Sequence, residues 1–161
     1  MELSIKNNQK VIAGWGNTIR SNSTIFYPKN VNEIKQIIIE GNNLIPRGLG
    51  RSYGDPAQCD KGFVIDTLNL NSFYLNEEQG VLTAGSGSKF SDILEFIVPK
   101  GFFLPVSPGT KNITVGGAIS SDVHGKNHHC DGSFANHIER MTIIDGNAIL
   151  TDADTLTPSW T

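Results

Sequence analysis

The sequence has no apolar run of eighteen residues, so no membrane-crossing helix is expected from it. Its opening, MELSIKNNQKVIAGWG, lacks a basic segment followed by an apolar run and a small-residue cleavage site, so no secretory leader is expected. Basic charge is equally thin. Thirteen Lys and Arg stand against sixteen Asp and Glu, and no basic cluster exceeds a pair, which excludes nucleic acid as an expected partner. Cysteine is scarce too: Cys59 and Cys130 show no C-x-x-C spacing and are expected as free thiols in a reducing, cytoplasmic compartment. Internal repeats and low-complexity tracts are absent.

What is present is a globular composition. At 161 residues, 38% hydrophobic and 18% charged, the chain is long enough for one cored domain or for part of a larger one. STIFYP reads as a short strand closed by Pro28. A helix follows, with Asn30 as cap, Glu33 three positions on, an apolar face of Val31, Ile34, Ile37 and Ile38, and Gly41 as its stop. Strands are expected at Leu44 and Ile45, at 62–70 and at 81–84. A second helix, expected to be capped by Ser88, carries Phe90, Ile93, Leu94 and Ile97 on one face and ends at Gly101. Two strands at 141–144 and 148–151 flank an Asp145-Gly146-Asn147 turn, and the tail from 152 to 161 is polar and unpatterned. The expected class is α+β, with helices layered over a sheet.

Two loops carry the chemistry. Residues 46–56, PRGLGRSYGDP, follow a strand and interleave three glycines with Arg47, Arg51, Ser52 and Tyr53. Such a loop can turn several backbone N–H groups toward one anion, although the glycine spacing matches neither the Rossmann fingerprint nor a P-loop. Residues 108–129, PGTKNITVGGAISSDVHGKNHH, are denser still in glycines, hydroxyls and ionisable groups, and TVGGAISS is expected to form a short helix close to a ligand. Together the loops suit a long ligand with a diphosphate in its middle and a ring at one end.

Other chemistries fit less well. His124, His128, His129 and His137 lie within fourteen residues of one another, with Cys130 and Asp122 among them, yet no second ligand pair occurs elsewhere, and no metal site is expected. His137 and His129 read as histidines satisfied within the fold. No G-x-S-x-G elbow supports a hydrolase. Lys126 can equally be a solvated surface lysine or face a ligand. Tyr53 can pack, or it can stack on or hydrogen-bond to a ring.

With these residues assembled, PRGLGRSYGD at 46–55, VLTAGSGSKFSDIL at 81–94 and SPGTKNITVGGAISSDVHGKNHH at 107–129 resemble the flavin-binding domain of the vanillyl-alcohol oxidase and p-cresol methylhydroxylase family. Within that family the run GGAISSDVHGKNHHCDGSFANHI most resembles the decaprenylphosphoryl-ribose 2-oxidase branch. The resemblance covers residues 12–151 and implies an FAD-binding domain of two small α+β subdomains over 1–151, with FAD extended between them. It maps the diphosphate loop onto Arg47, Gly48, Leu49, Gly50, Arg51, Ser52, Tyr53, Gly54 and Asp55. A second flavin-binding segment maps onto Gly109, Thr114, Val115, Gly116, Gly117, Ser121, Asp122, Val123 and His124.

The implied chemistry is hydride transfer from a carbinol C–H to flavin N5, with His124 and Lys126 on the substrate oxygen and Tyr53 near the ring. Arg51 occupies the position at which some relatives carry a flavin-linking histidine, so non-covalent FAD is expected. The implied substrate is a small sugar or a lipid-linked sugar, the latter placing the protein beside a membrane. The resemblance also implies further strands and a substrate domain beyond Thr161, so the chain is expected to be the N-terminal part of a flavin domain incomplete at its C-terminus. The alternatives are a truncated binding domain that holds FAD weakly or not at all, and a metal-binding protein built on the histidine cluster.

Overall fold

The computed structural model describes residues 5–154. Among these residues, eight strands and four α-helices form two α+β layers. In the first, β1 (Asn7–Ala13), β2 (Arg20–Phe26), β3 (Leu44–Arg47) and β4 (Phe63–Asp66) make a sheet of order β1-β2-β4-β3. β1 runs antiparallel to β2, while β2 and β3 both run parallel to β4. Helix α1 (Val31–Glu40) crosses from β2 to β3, leaving the gap that β4 fills. Parallel neighbours need such a crossover.

Local chemistry fixes α1. The Asn30 side chain accepts from Glu33 N–H at 3.0 Å, and the Glu33 carboxylate accepts from Lys29 N–H at 2.8 Å, so the helix entry is tied on both sides. Its buried face, Ile34, Ile37 and Ile38, joins Phe26 and Ile65 of the sheet, with Ile5 and Ala148 from near the two ends of the described chain. Ile12, Ile25 and Val64 close the other face of the sheet.

The second layer holds the β5 (Phe73–Asn76) and β6 (Val81–Ala84) hairpin, α2 (Phe90–Ile97), α3 (Val115–Ser120) and the short α4 (His128–Asp131). Its core is Leu75, Phe90, Ile93, Ile97, Leu104 and Ala118. β7 (Arg140–Ile144) and β8 (Leu150–Asp154) form a final hairpin that returns Ile144 and Ala148 to the first core.

Several sequence expectations need correction. The strand expected at 62–70 is β4 at Phe63–Asp66 alone, and β5 at Phe73–Asn76 has no counterpart among the expected strands. β1 reads as unpatterned polar chain, because five of its seven residues are exposed and its strand character comes from pairing with β2. Ser88 does not cap α2. Its hydroxyl turns inward to Ser72 O at 3.2 Å, and the N–H groups of Phe90 and Ser91 donate to Ile113 and Lys111 carbonyls, so a neighbouring segment satisfies the helix start. The last hairpin has β8 at 150–154 rather than 148–151, since Ala148 has φ 60° and belongs to the turn. Of the polar tail, residues 155–161 lie outside the described residues.

Candidate functional site: two loops and a cleft

The loop at 47–55 leaves the end of β3 and is shaped from behind. The N–H groups of residues 48–55 find no acceptor among the described residues, while a few carbonyls tie the loop down: Arg47 O accepts from Thr67 N–H at 3.0 Å, Ser52 O from Trp15 N–H at 2.9 Å and Asp55 O from Gln58 N–H at 3.0 Å. A run of donors without internal partners is the chemistry of an anion cradle. Arg47 is turned into the protein. Its Nη1 donates to Ala57 O at 2.8 Å and its Nη2 to Ala13 O at 2.7 Å. Burial pushes the Arg47 guanidinium below the ordinary arginine pKa, and Asp66, its register partner on β4, opposes that shift. Burial in turn raises the Asp66 carboxyl, held back by Leu68 N–H and by Arg47.

The second segment meets the first at one point. A Cβ on Gly48 would stand 2.3 Å from Thr114 Oγ1, so the 47–55 loop touches the start of α3 only because residue 48 is glycine. Thr114 caps α3 by accepting from Gly117 N–H at 3.2 Å. The N–H groups of Val115 and Gly116 donate to Ser88 and Ser86 carbonyls at 2.9 and 2.8 Å. The helix start is therefore spent on the GSGS turn, and Gly116 serves close packing, since its Cβ would meet Ser86 O at 3.0 Å.

Beyond α3, Asp122 has φ 39° and its carboxylate accepts from Ala135 N–H at 3.0 Å. Ala135 N–H, then the Ser133 hydroxyl and the nearby His124, hold this carboxyl below its ordinary pKa. Asp122 thus ties down the 133–137 turn. Val123 is packed in the second core, and Ser121 is the exposed C-cap of α3.

His124, Gly125, Lys126, Asn127 and His128 line one wall of a cleft of about 680 Å³, whose other wall is Phe103 to Pro105 and Ser107 to Gly109. Gly125 brings the walls together, because a Cβ there would stand 2.7 Å from Ser107 O. The buried Ser107 hydroxyl has no hydrogen-bond partner among the described residues. His128 packs edge-on to His124 at 5.3 Å, and its Nδ1 lies 3.2 Å from Gly125 O. His137 Nε2 is satisfied at Asp131 O, 2.9 Å away. Tyr53 does not line this cleft; it is 83% exposed and meets Trp15 edge-to-face at 5.7 Å. Cys59 and Cys130 are free, and among the described residues no three His, Cys, Asp or Glu side chains converge to hold a metal.

These features fit FAD on their own terms. The unpartnered N–H run suits a diphosphate, and the cleft with its orphan Ser107 hydroxyl suits a polar ring edge. A sequence profile described as an FAD binding domain matches residues 23–154. The chain belongs to this FAD-binding family.

The FAD-binding domain is 37% identical over 144 residues to a decaprenylphosphoryl-beta-D-ribose oxidase of Mycolicibacterium smegmatis, covering 86% of the chain and 31% of that protein. It therefore spans about a third of that relative's length. Among solved structures, cholesterol oxidase from Brevibacterium sterolicum superposes with a TM-score of 0.81 at 17% identity, over 98% of the domain and 34% of the oxidase. A BBE-like 1 variant of Physcomitrella patens gives 0.76 at 17% identity, over 90% and 33%. At that identity these two show the fold. The family consists of FAD-dependent oxidoreductases. No helix among the described residues is long and apolar enough to cross a membrane.

The sequence reading missed residues 13–20. Gly14 and Gly16 lie against Gly54 and Tyr53 so tightly that Cβ atoms would stand 2.1 and 2.9 Å from those carbonyls. The signal was the GWG triplet, two glycines around a tryptophan in an otherwise polar stretch.

Proposed function

We propose that this domain holds FAD non-covalently for an oxidoreductase acting on a sugar or polyol hydroxyl, with a polyprenyl-phosphate-linked pentose as the first substrate to try. The observation that carries the reading is the run of N–H groups at 48–55 without partners among the described residues, in contact with Thr114 at the start of α3; a separate cleft presents His124 and Lys126. The relative named for oxidising decaprenylphosphoryl ribose supports the substrate class. Gly48 to Asp55 cradle the diphosphate through backbone N–H groups, and Gly109 with Thr114 to Gly117 lie along the flavin. When bound, the flavin supplies the two-electron acceptor for the carbinol C–H. His124 and Lys126 hold the substrate oxygen and orient that carbon, facing Phe103 to Pro105 across the open cleft. Tyr53, outside the cleft, acts from the diphosphate side. Arg51 in place of a flavin-linking histidine supports non-covalent binding, and the free thiols support a cytoplasmic location.

The test is a visible spectrum of the chain after incubation with FAD and desalting, followed by anaerobic addition of decaprenylphosphoryl ribose. Retained flavin bands that bleach on addition are expected. Retained bands that do not bleach would leave a binding domain without turnover, and a colourless protein would overturn the reading that this chain holds FAD by itself.

A further inference from the structure

We propose that residues 13–20, together with Arg47 and Gln58, form a brace that moulds the diphosphate loop, and that Arg47 is a positioning residue rather than a ligand of the phosphates. This rests on the FAD reading above. A loop whose N–H groups make no hydrogen bond within the protein has no internal ladder to keep its shape, so its shape has to be imposed from the segments it packs against.

The brace supplies these segments. The Arg47 fork spends two nitrogens on Ala13 O and Ala57 O, joining the end of β1 to the far side of the loop. Gly50 sits over that guanidinium with φ 63°, and a Cβ there would stand 2.1 Å from Nη2. Trp15 N–H donates to Ser52 O, and the Trp15 ring meets the Tyr53 ring. Buried Gln58 fixes the brace itself. With its amide oriented by its partners, Nε2 donates to Ile12 O at 3.2 Å and Ile19 O at 3.3 Å, while Oε1 accepts from Gly14 N–H at 2.8 Å. Asn17, at φ 50°, closes the turn by donating its N–H to Gly14 O at 3.1 Å. The family match begins at residue 23, so the 13–20 segment lies outside it.

The experiment compares wild type, Arg47→Lys and Arg47→Met, with Gln58→Met as a milder variant should Arg47→Met fail to fold. Hydrogen exchange of the cofactor-free chain reads the brace directly. The Trp15 amide should exchange about tenfold faster or more in every folded variant, while α1 keeps its protection. FAD titration by flavin fluorescence at several salt concentrations reads the role. Arg47→Lys keeps the charge but not the fork, so both Arg47 variants should weaken FAD by about tenfold or more, with the wild-type salt dependence retained. Wild-type affinity in Arg47→Lys, or a flattened salt dependence in Arg47→Met, would make Arg47 a phosphate ligand and overturn the proposal. Unchanged Trp15 exchange would overturn it as well. A wild type that binds no FAD defeats the cofactor reading alone, because the cofactor-free exchange still decides whether the brace exists.

Discussion

Gly48→Ala probes the contact on which the two loops depend. The new Cβ would lie 2.3 Å from Thr114 Oγ1, 3.1 Å from its Cγ2 and 3.2 Å from its Cβ. Thr114 is 2% exposed, so it cannot swing into solvent, and rotating Oγ1 away breaks its bond to Gly117 N–H. Overpacking of this kind costs about 1–3 kcal/mol and losing an N-cap about 1 kcal/mol, so Gly48→Ala should destabilise by about 2–3 kcal/mol. Thr114→Ala alone should cost about 1–2 kcal/mol through the cap. In the Thr114→Ala background the nearest clashing atom is gone, and Gly48→Ala should then cost about 1 kcal/mol, a coupling of about 1–2 kcal/mol. Equilibrium urea unfolding of the four proteins, followed by tryptophan fluorescence with constant slopes, measures the cycle. Additivity within about 0.5 kcal/mol would refute the claim that these two residues meet.

Gly87→Ala places a Cβ 1.9 Å from Thr67 O and should cost more than about 3 kcal/mol, read as loss of the cooperative thermal transition; a stable variant would mean the GSGS turn is not wedged there. Asn30→Ala should lower stability by about 1 kcal/mol in urea without changing FAD retention, and a change in flavin binding would tie α1 to the site unexpectedly. Ile149 N–H first, then Asn147, hold the Asp145 carboxyl below its ordinary pKa. The native pKa being the lower one, this stabilisation is complete above the unfolded aspartate value of about 3.9 and is lost as pH falls through the native value. Asp145→Asn should therefore flatten the acid limb of Tm against pH, and parallel curves would show that the turn carboxylate contributes nothing.

How far the sequence could be read differs by element, for physical reasons. α1 was legible because cap, box and isoleucine stripe all lie within eleven residues, and local chemistry decided them. The short helix at TVGGAISS was legible for the same reason, through Thr114. β1 was not, since NNQK acquires strand geometry from β2 alone. Ser88 misled because the orphan donors of α2 were met by the 111–113 carbonyls, a partner twenty or more residues away that no local pattern announces. In the site, the donor character of PRGLGRSYGD could be read from its glycines. The inward turn of Arg47 could not, because it depends on Ala13 and Ala57, which only the folded sheet brings together.

The route of the chain through the two cores has a consequence for how a bulky dinucleotide enters. Ile5 and Ala148 both lock into the first core, so the α2 and α3 layer is an insertion between β4 and β7 with its own apolar interior. An inserted unit of this kind can detach and redock as a sub-global opening while the unit that receives both ends stays folded. The seam that would part is where Gly48 meets Thr114, so a cofactor bound across it would be gated by the unlatching of one module, at a free-energy cost below that of global unfolding.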